Sequence, residues 1–207
     1  MEAIIVGHGP SILKKEYGSY IDSFEYVIRQ KANSIKYTKE NPTQYGSKTY
    51  AIGGSTGQYN VISRLENVQC WVYIDSRRNP EEDYDSKFNN ETTKCNQKLC
   101  HHWNQIFRDM RTDDWTRNPQ EAQVFSDLKL GHNHMSSGTH TILYTCHYLQ
   151  PSKIHLLGYD NVRSGKFGWS VTRGKDWNNY GDHRYDVEQK MLPLFEKEFN
   201  TKIVFVE

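Results

Sequence analysis

Six short runs, residues 3–6, 26–29, 49–52, 70–74, 154–157 and 203–206, are apolar on mostly consecutive positions and not on alternate ones. A strand that is apolar on both sides must be covered on both sides, so these runs predict a mostly parallel sheet with helices on both faces. Helical spacing falls between them. Residues 139–149 read as one helix and residues 186–199 as another, where Val187, Met191, Phe195 and Phe199 recur every fourth position. Strands alternating with helices predict a single Rossmann-like α/β domain over residues 1–207. Pro193 lies inside the last helix and predicts a kink there, or a break at Leu192.

The 207 residues suit one large domain, not two. With 26 Lys and Arg against 25 Asp and Glu, the formal charge of +1 excludes a basic nucleic-acid-binding tail and an acidic disordered segment. The mean hydropathy is low, −0.85. The 5 Trp, 14 Tyr and 8 Phe nevertheless supply enough bulk for a packed core. Residues 1–7 hold no basic segment, and their apolar run is too short for a signal core or a membrane span, so the expected location is the cytoplasm, or a host cytoplasm if the source is a phage. Four cysteines, Cys70, Cys95, Cys100 and Cys146, are too sparse for a disulfide scaffold and are expected to be free thiols.

Three short motifs have the residue types of a ligand site. Gly7, His8, Gly9, Pro10 and Ser11 follow the first strand directly, in a turn where glycines let backbone N–H groups approach a phosphate or sugar; a plain tight turn reads the same way. Met135, Ser136, Ser137, Gly138 and Thr139 precede an amphipathic helix, with Ser136 or Ser137 as its cap. Free amides there suit an anion, and simple capping is the alternative. His183 stands just before another helix with Glu188 five residues on. A histidine in such a place suits a general base, and a lone surface histidine is the alternative.

In that order and spacing the motifs resemble those of sialyltransferases. Val6-Gly7-His8-Gly9 followed by Ile21-Asp22-Ser23-Phe24-Glu25-Tyr26-Val27-Ile28-Arg29 is similar to the family's large motif, V-G-N-x-G and then I-D-x-x-D-x-V-I-R. Ser136-Ser137-Gly138-Thr139 through Gly158-Tyr159 is similar to the small motif. His183 and Glu188 match the very short motif, H and then four residues and E. The middle, residues 60–132, has no counterpart. The resemblance implies an A-type, Rossmann-like glycosyltransferase that is inverting, needs no metal or cofactor, and uses a nucleotide-sugar donor, CMP-linked. It implies His183 as the general base, Glu188 supporting the helix start, and Gly7 to Ser11, Arg29, Lys31, Ser136 to Thr139, Tyr159 and Tyr180 around the donor. His8 and Lys31 stand where the family has asparagines that contact the nucleotide. Trp177 and Tyr180 occupy the place of a family motif with a histidine and two aromatics, and a cysteine of the secreted enzymes is missing from the large motif.

Residues 161–182 are expected to form a mobile lid. Between 161 and 175 they carry Arg163, Lys166, Arg173 and Lys175 with no acid, interleaved with Phe167 and Trp169. In one reading this is an exposed loop covering the donor, with solvated charges. In the other, Lys166, Trp169, Arg173 and Trp177 contact the phosphates and bases of a nucleic-acid acceptor, a hydroxylated DNA base among them. A glycan or lipid-linked sugar is the other acceptor class. A non-enzymatic nucleotide-binding module is a third possibility. Cys95, Cys100, His101 and His102 are zinc-like in type, yet a helix carrying Leu99, Trp103, Ile106 and Phe107 with incidental Cys and His reads better. His132 and His134 read as loop histidines, and Asp83 with Asp85 follows no strand closely enough to suggest a metal site.

Overall fold

A computed structural model describes residues 1–55, 58, 61, 64–73, 93–94, 97–115, 135–165 and 184–207. In chain order these form β1 (Glu2–Val6), a 3-10 turn (Pro10–Leu13), α1 (Gly18–Asp22), β2 (Tyr26–Gln30), α2 (Ser34–Glu40), α3 (Pro42–Tyr45), β3 (Ala51–Ser55) and β4 (Gln69–Tyr73). There follow β5 (Thr93–Lys94), α4 (Gln97–Trp115), α5 (Ser137–Leu149), β6 (Lys153–Leu157), α6 (Asp160–Ser164), α7 (Tyr185–Phe199) and β7 (Lys202–Phe205).

The seven strands form one sheet in the order β5-β4-β3-β2-β1-β6-β7, and every pairing is parallel. The predicted fold class holds. Each expected strand is present, although β3 runs on through Gly53, Gly54 and Ser55, whose backbones pair with β4 without bulky apolar side chains. The two-residue β5 is a strand that the six apolar runs do not include.

Successive side chains of a strand point to opposite faces, which sorts the core. Ala3 and Ile5 of β1 join Ile28, Ala51 and Trp71 on one face, against Ile142 and Tyr144 of α5, Trp103 of α4 and Phe195 of α7. Ile4 and Val6 go to the other face with Val27 and Leu157, against Ile12, Tyr17 and Ile21. Continuous apolar runs are the signature of this double coverage, because both sets of positions are buried.

Helix α5 is buried on every side from Gly138 to Cys146. Its threonines are compatible with that burial because they bond back into the helix: Thr141 Oγ1 donates to Ser137 O at 2.7 Å and Thr145 Oγ1 to Thr141 O at 2.8 Å. Helix α7 is not broken at Leu192. Pro193 lies within the helix on its exposed side, as does Gln189, whose carbonyl it cannot serve, so that carbonyl is left on the solvent side of the helix. In α4 the core residues are Cys100, Trp103 and Phe107, while His101 and His102 are exposed. The Cys100 Sγ lies 2.7 Å from the Tyr144 hydroxyl in the core. The segment forms the helix expected of Leu99, Trp103, Ile106 and Phe107, and Cys95 lies outside the described residues. Among the described residues Cys70, Cys100 and Cys146 are in no disulfide.

Candidate functional site

From β1 the chain winds outward through β2 to β5, then crosses back to β6 on the other side of β1. The sheet therefore has its switch point between β1 and β6, and the crevice outside the carboxyl ends of those strands is where α/β sheets of this kind bind ligands.

The two loops leaving β1 and β6 are stitched together. Gly7 N donates to Leu157 O and Gly9 N to Gly158 O, both at 2.7 Å. Ser11 donates to Asp160 Oδ2 through its amide at 3.1 Å and its hydroxyl at 2.8 Å, and Gly158 N donates to Ser11 Oγ at 3.2 Å. A Cβ on Gly7 would lie 2.5 Å from Gly158 O, and one on Gly9 would lie 2.0 Å from Asp160 Oδ2. The glycines are required by loop-on-loop packing. This corrects the expected amide cradle: the N–H groups of Gly7, Gly9 and Ser11 are taken up within the protein, and Pro10 has none. His8 is 9% exposed, and its Nε2 lies 2.6 Å from Gln30 O. A carbonyl only accepts, so Nε2 carries the hydrogen. Against the turn is a cavity of about 10 Å³ lined by Gly7, His8, Arg29, Tyr37 and Tyr45 among others, with space for a water.

The start of α5 is a second element at the crevice. Ser136 caps it, accepting from Thr139 N at 3.3 Å. Glu188, in the first turn of α7 and 0% exposed, grips the same cap: Oε1 accepts from Ser136 N at 2.9 Å, and Oε2 accepts from Ser136 Oγ at 2.7 Å and from Thr139 Oγ1. Burial pushes the Glu188 carboxyl above the usual carboxylate range, opposed by its bonds to Thr139 and Ser136. Tyr159 is also buried; its hydroxyl donates to Gly138 O at 3.3 Å and burial raises its pKa. Ser137 and Gly138, the first helical residues, have no acceptor for their N–H groups among the described residues. Those two amides are the free donors of the motif.

Arg29 and Lys31 flank a residue that the motif pattern passes over. Arg29 is 1% exposed, and it donates from Nε to Lys48 O at 3.1 Å and Thr49 Oγ1 at 3.0 Å, and from Nη2 to Lys48 O at 2.8 Å. Burial lowers its pKa to about 10, opposed by Asp22. Asp22 accepts from Ser47 N and Lys48 N at 2.9 Å, so the two charges clamp the amide and carbonyl ends of one short segment before β3. The one guanidinium expected around the donor is thus committed to the scaffold. Lys31 has φ 67°, the left-handed conformation that asparagine tolerates better than lysine, and its amide donates to Gly53 O at 2.8 Å.

Gln30, between them, points to the α5 face, and its Nε2 donates to Ser137 Oγ at 3.3 Å. Strand alternation carries this signal in the sequence: if Arg29 faces one layer, Gln30 faces the other. Asp160 is the other residue missed, because its partner Ser11 is 149 positions away.

The structure thus brings together the first motif, the β6 loop, the α5 start and Glu188. His183, Tyr180, Trp177, Arg173, Trp169 and Lys166 lie outside the described residues, as do His132, His134, Asp83 and Asp85. The expected lid begins as α6, which ends at Gly165 in the left-handed conformation, and its remainder lies outside the described residues. At the start of α7, Arg184 pairs with Asp186 at 2.6 Å. Among the described residues no three His, Cys, Asp or Glu side chains are grouped to hold a metal ion, and no helix is long and apolar enough to cross a membrane.

No family model and no curated protein matches the chain. Solved structures do. Two crystal structures of a mammalian sialyltransferase match over 98% of this chain and 68% of theirs, at 14% identity. One, in complex with Gal-beta-1-3GalNAc-ortho-nitrophenol, has a TM-score of 0.51, and the other 0.53. At that identity the likeness is one of fold: a single α/β domain with a parallel sheet, similar to the sialyltransferase fold.

Proposed function

We propose that this protein is an inverting, metal-independent glycosyltransferase that moves a sugar from a nucleotide-sugar donor, CMP-linked, to an acceptor hydroxyl. The observation that carries the reading is Glu188, whose carboxylate bonds the cap of α5 and so holds the first turn of α7 against the α5 start. His183 precedes α7 by two positions, so base and phosphate donors belong to neighbouring segments in this reading.

His183 takes the proton of the acceptor hydroxyl as its oxygen attacks the anomeric carbon. The bond from that carbon to the leaving oxygen breaks, its electron pair passes to the departing nucleotide, and the configuration inverts in one displacement. The Ser137 and Gly138 amides, at the positive end of α5, meet the growing negative charge on the phosphate. Glu188 is a positioning residue, since it is fully buried and bonds protein groups. The fold likeness to sialyltransferases supports this class of chemistry, and the acceptor, by the same analogy, is a glycan.

The test is a thermal-shift panel of CMP, UMP, UDP, GDP and AMP followed by transfer assays on wild type and His183→Ala. Ligand at about 100 times its dissociation constant stabilises by about 2.7 kcal/mol, a readable shift. Selective stabilisation by CMP and loss of transfer in a folded His183→Ala protein are expected. Full transfer by that variant refutes the base. Nucleotide binding without turnover of any sugar nucleotide instead supports a binding module.

A further inference from the structure

A cluster of titratable side chains lies at the amino ends of β1 and β6, the end of the sheet opposite the crevice. Glu2 opens β1, Lys153 opens β6, His155 stands two positions on, and Tyr20 comes from α1. His155 Nε2 lies 2.8 Å from Glu2 Oε2, and its Nδ1 lies 3.0 Å from the Tyr20 hydroxyl. Lys153 Nζ donates to Glu2 Oε1 at 2.6 Å. The bonds to Lys153 and His155 hold the Glu2 carboxyl below the usual carboxylate range. An ionised carboxylate only accepts, so Nε2 carries the ring hydrogen and, in the neutral ring, Nδ1 accepts from the Tyr20 hydroxyl. Carboxylate, imidazole and hydroxyl in one row is the arrangement in which a base, oriented by a third group, activates a nucleophile. Tyr20 is 39% exposed, so a small reagent reaches it, while the His155 side chain is 15% exposed. The Phe24 ring centroid stands 4.8 Å from that of His155 and 5.2 Å from that of Tyr20, an apolar wall beside the pair.

We propose that Tyr20 is a nucleophile, with His155 as its general base, that takes an acyl group from an activated ester. The Tyr20 oxygen bonds to the ester carbonyl carbon while its proton passes to His155 Nδ1. The bond from that carbon to the leaving oxygen breaks, and the proton on Nδ1 goes to the departing alcohol. The products are an O-acyl tyrosine and that alcohol. Glu2 is a positioning residue: it fixes the tautomer and stabilises the imidazolium while it lasts. Burial, and after it Glu2, raise the Tyr20 pKa, with Lys153 opposing. The phenol therefore keeps its proton until the attack and depends on the base. This site is separate from glycosyl transfer and does not rest on that reading.

The experiment treats the full chain with p-nitrophenyl acetate and follows acetylation of each tyrosine by peptide mapping, in wild type, Tyr20→Phe, His155→Gln and Glu2→Gln. Thermal melts report the folding of each variant. Wild type is expected to acetylate Tyr20 about 100-fold faster than free N-acetyltyrosine amide in the same solution, the lower range of general-base catalysis. Tyr20→Phe removes the fast phase of p-nitrophenolate release, His155→Gln brings Tyr20 to the rate of the free amide, and Glu2→Gln gives a smaller loss. An ordinary Tyr20 rate in wild type overturns the proposal and leaves the cluster as a tie between α1 and the sheet. A fast rate that survives in folded His155→Gln also overturns it. If His155→Gln does not fold, Glu2→Gln decides: a slowed Tyr20 supports the proposal, and an unchanged rate overturns it. None of these outcomes touches the glycosyltransferase reading, which the nucleotide panel tests.

Discussion

Two buried charges, Glu188 and Arg29, belong to the motifs that carry the resemblance and have different uses. Glu188 is satisfied by three donors at one helix start, in the part of the molecule where free amides remain. Arg29 is satisfied by a carbonyl and a hydroxyl, with Asp22 bonded to the other end of the same segment. A charged motif residue can thus belong to the site's support or wholly to the scaffold, and its hydrogen-bond partners tell which.

The largest expected effect separates the two. Arg29→Met leaves Lys48 O and Asp22 without their counterpart and is expected to cost about 3–5 kcal/mol of stability, with nucleotide affinity of the folded fraction unchanged. Glu188→Ala strands the Ser136 and Thr139 donors and should cost about 1–3 kcal/mol while also weakening nucleotide binding. Urea denaturation with calorimetric titration reads both. Equal losses of affinity in the two variants erase the distinction.

The pH dependence should differ in sign between two carboxylates, Asp22 of the clamp and Glu188 of the site. Burial pushes Asp22 up, but its bonds to Lys48 and Ser47 hold the net pKa below normal. Its contribution is present above the unfolded value, about 3.9, and is lost as pH falls through the depressed folded value. Glu188 is shifted upward by burial. Its folded state holds the proton longer, so its contribution is present below the unfolded value, about 4.3, and is lost as pH rises through the raised one. Stability measured against pH in Glu188→Gln should therefore lose the decline that sets in as pH rises past the unfolded glutamate value, and Asp22→Asn should lose the one that sets in as pH falls past the unfolded aspartate value. An unchanged profile in Glu188→Gln contradicts the burial argument.

The smallest effect concerns Lys31. Replacing it with asparagine, which tolerates φ 67° better, should stabilise the protein by about 0.5 kcal/mol in thermal melts. Destabilisation would mean that the lysine side chain contributes more than its backbone strain removes.

Much of the fold is legible in the residues themselves. Consecutive apolar positions at 3–6 and 26–29 require cover on both faces, and fourth-residue spacing from Val187 to Phe199 marks α7 despite Pro193. Those are local patterns, dictated by side-chain geometry over a few residues. The candidate site is legible only as a set of motifs. Gly7 reads as a ligand turn, yet its amide is claimed by Leu157 O. Arg29 reads as a donor contact, yet strand alternation turns it to the face of the Lys48 segment and gives the α5 side to Gln30.

By itself, then, the sequence determined the class of sheet, the helices that cover it and the three motifs at strand and helix ends. Tertiary structure alone decided which motif groups remain available to a ligand. The physical reason is that availability is a property of what is left unpaired, and the partners that claim Gly7, Ser11 and Ser136 come from β6, α6 and α7, 52 positions or more along the chain.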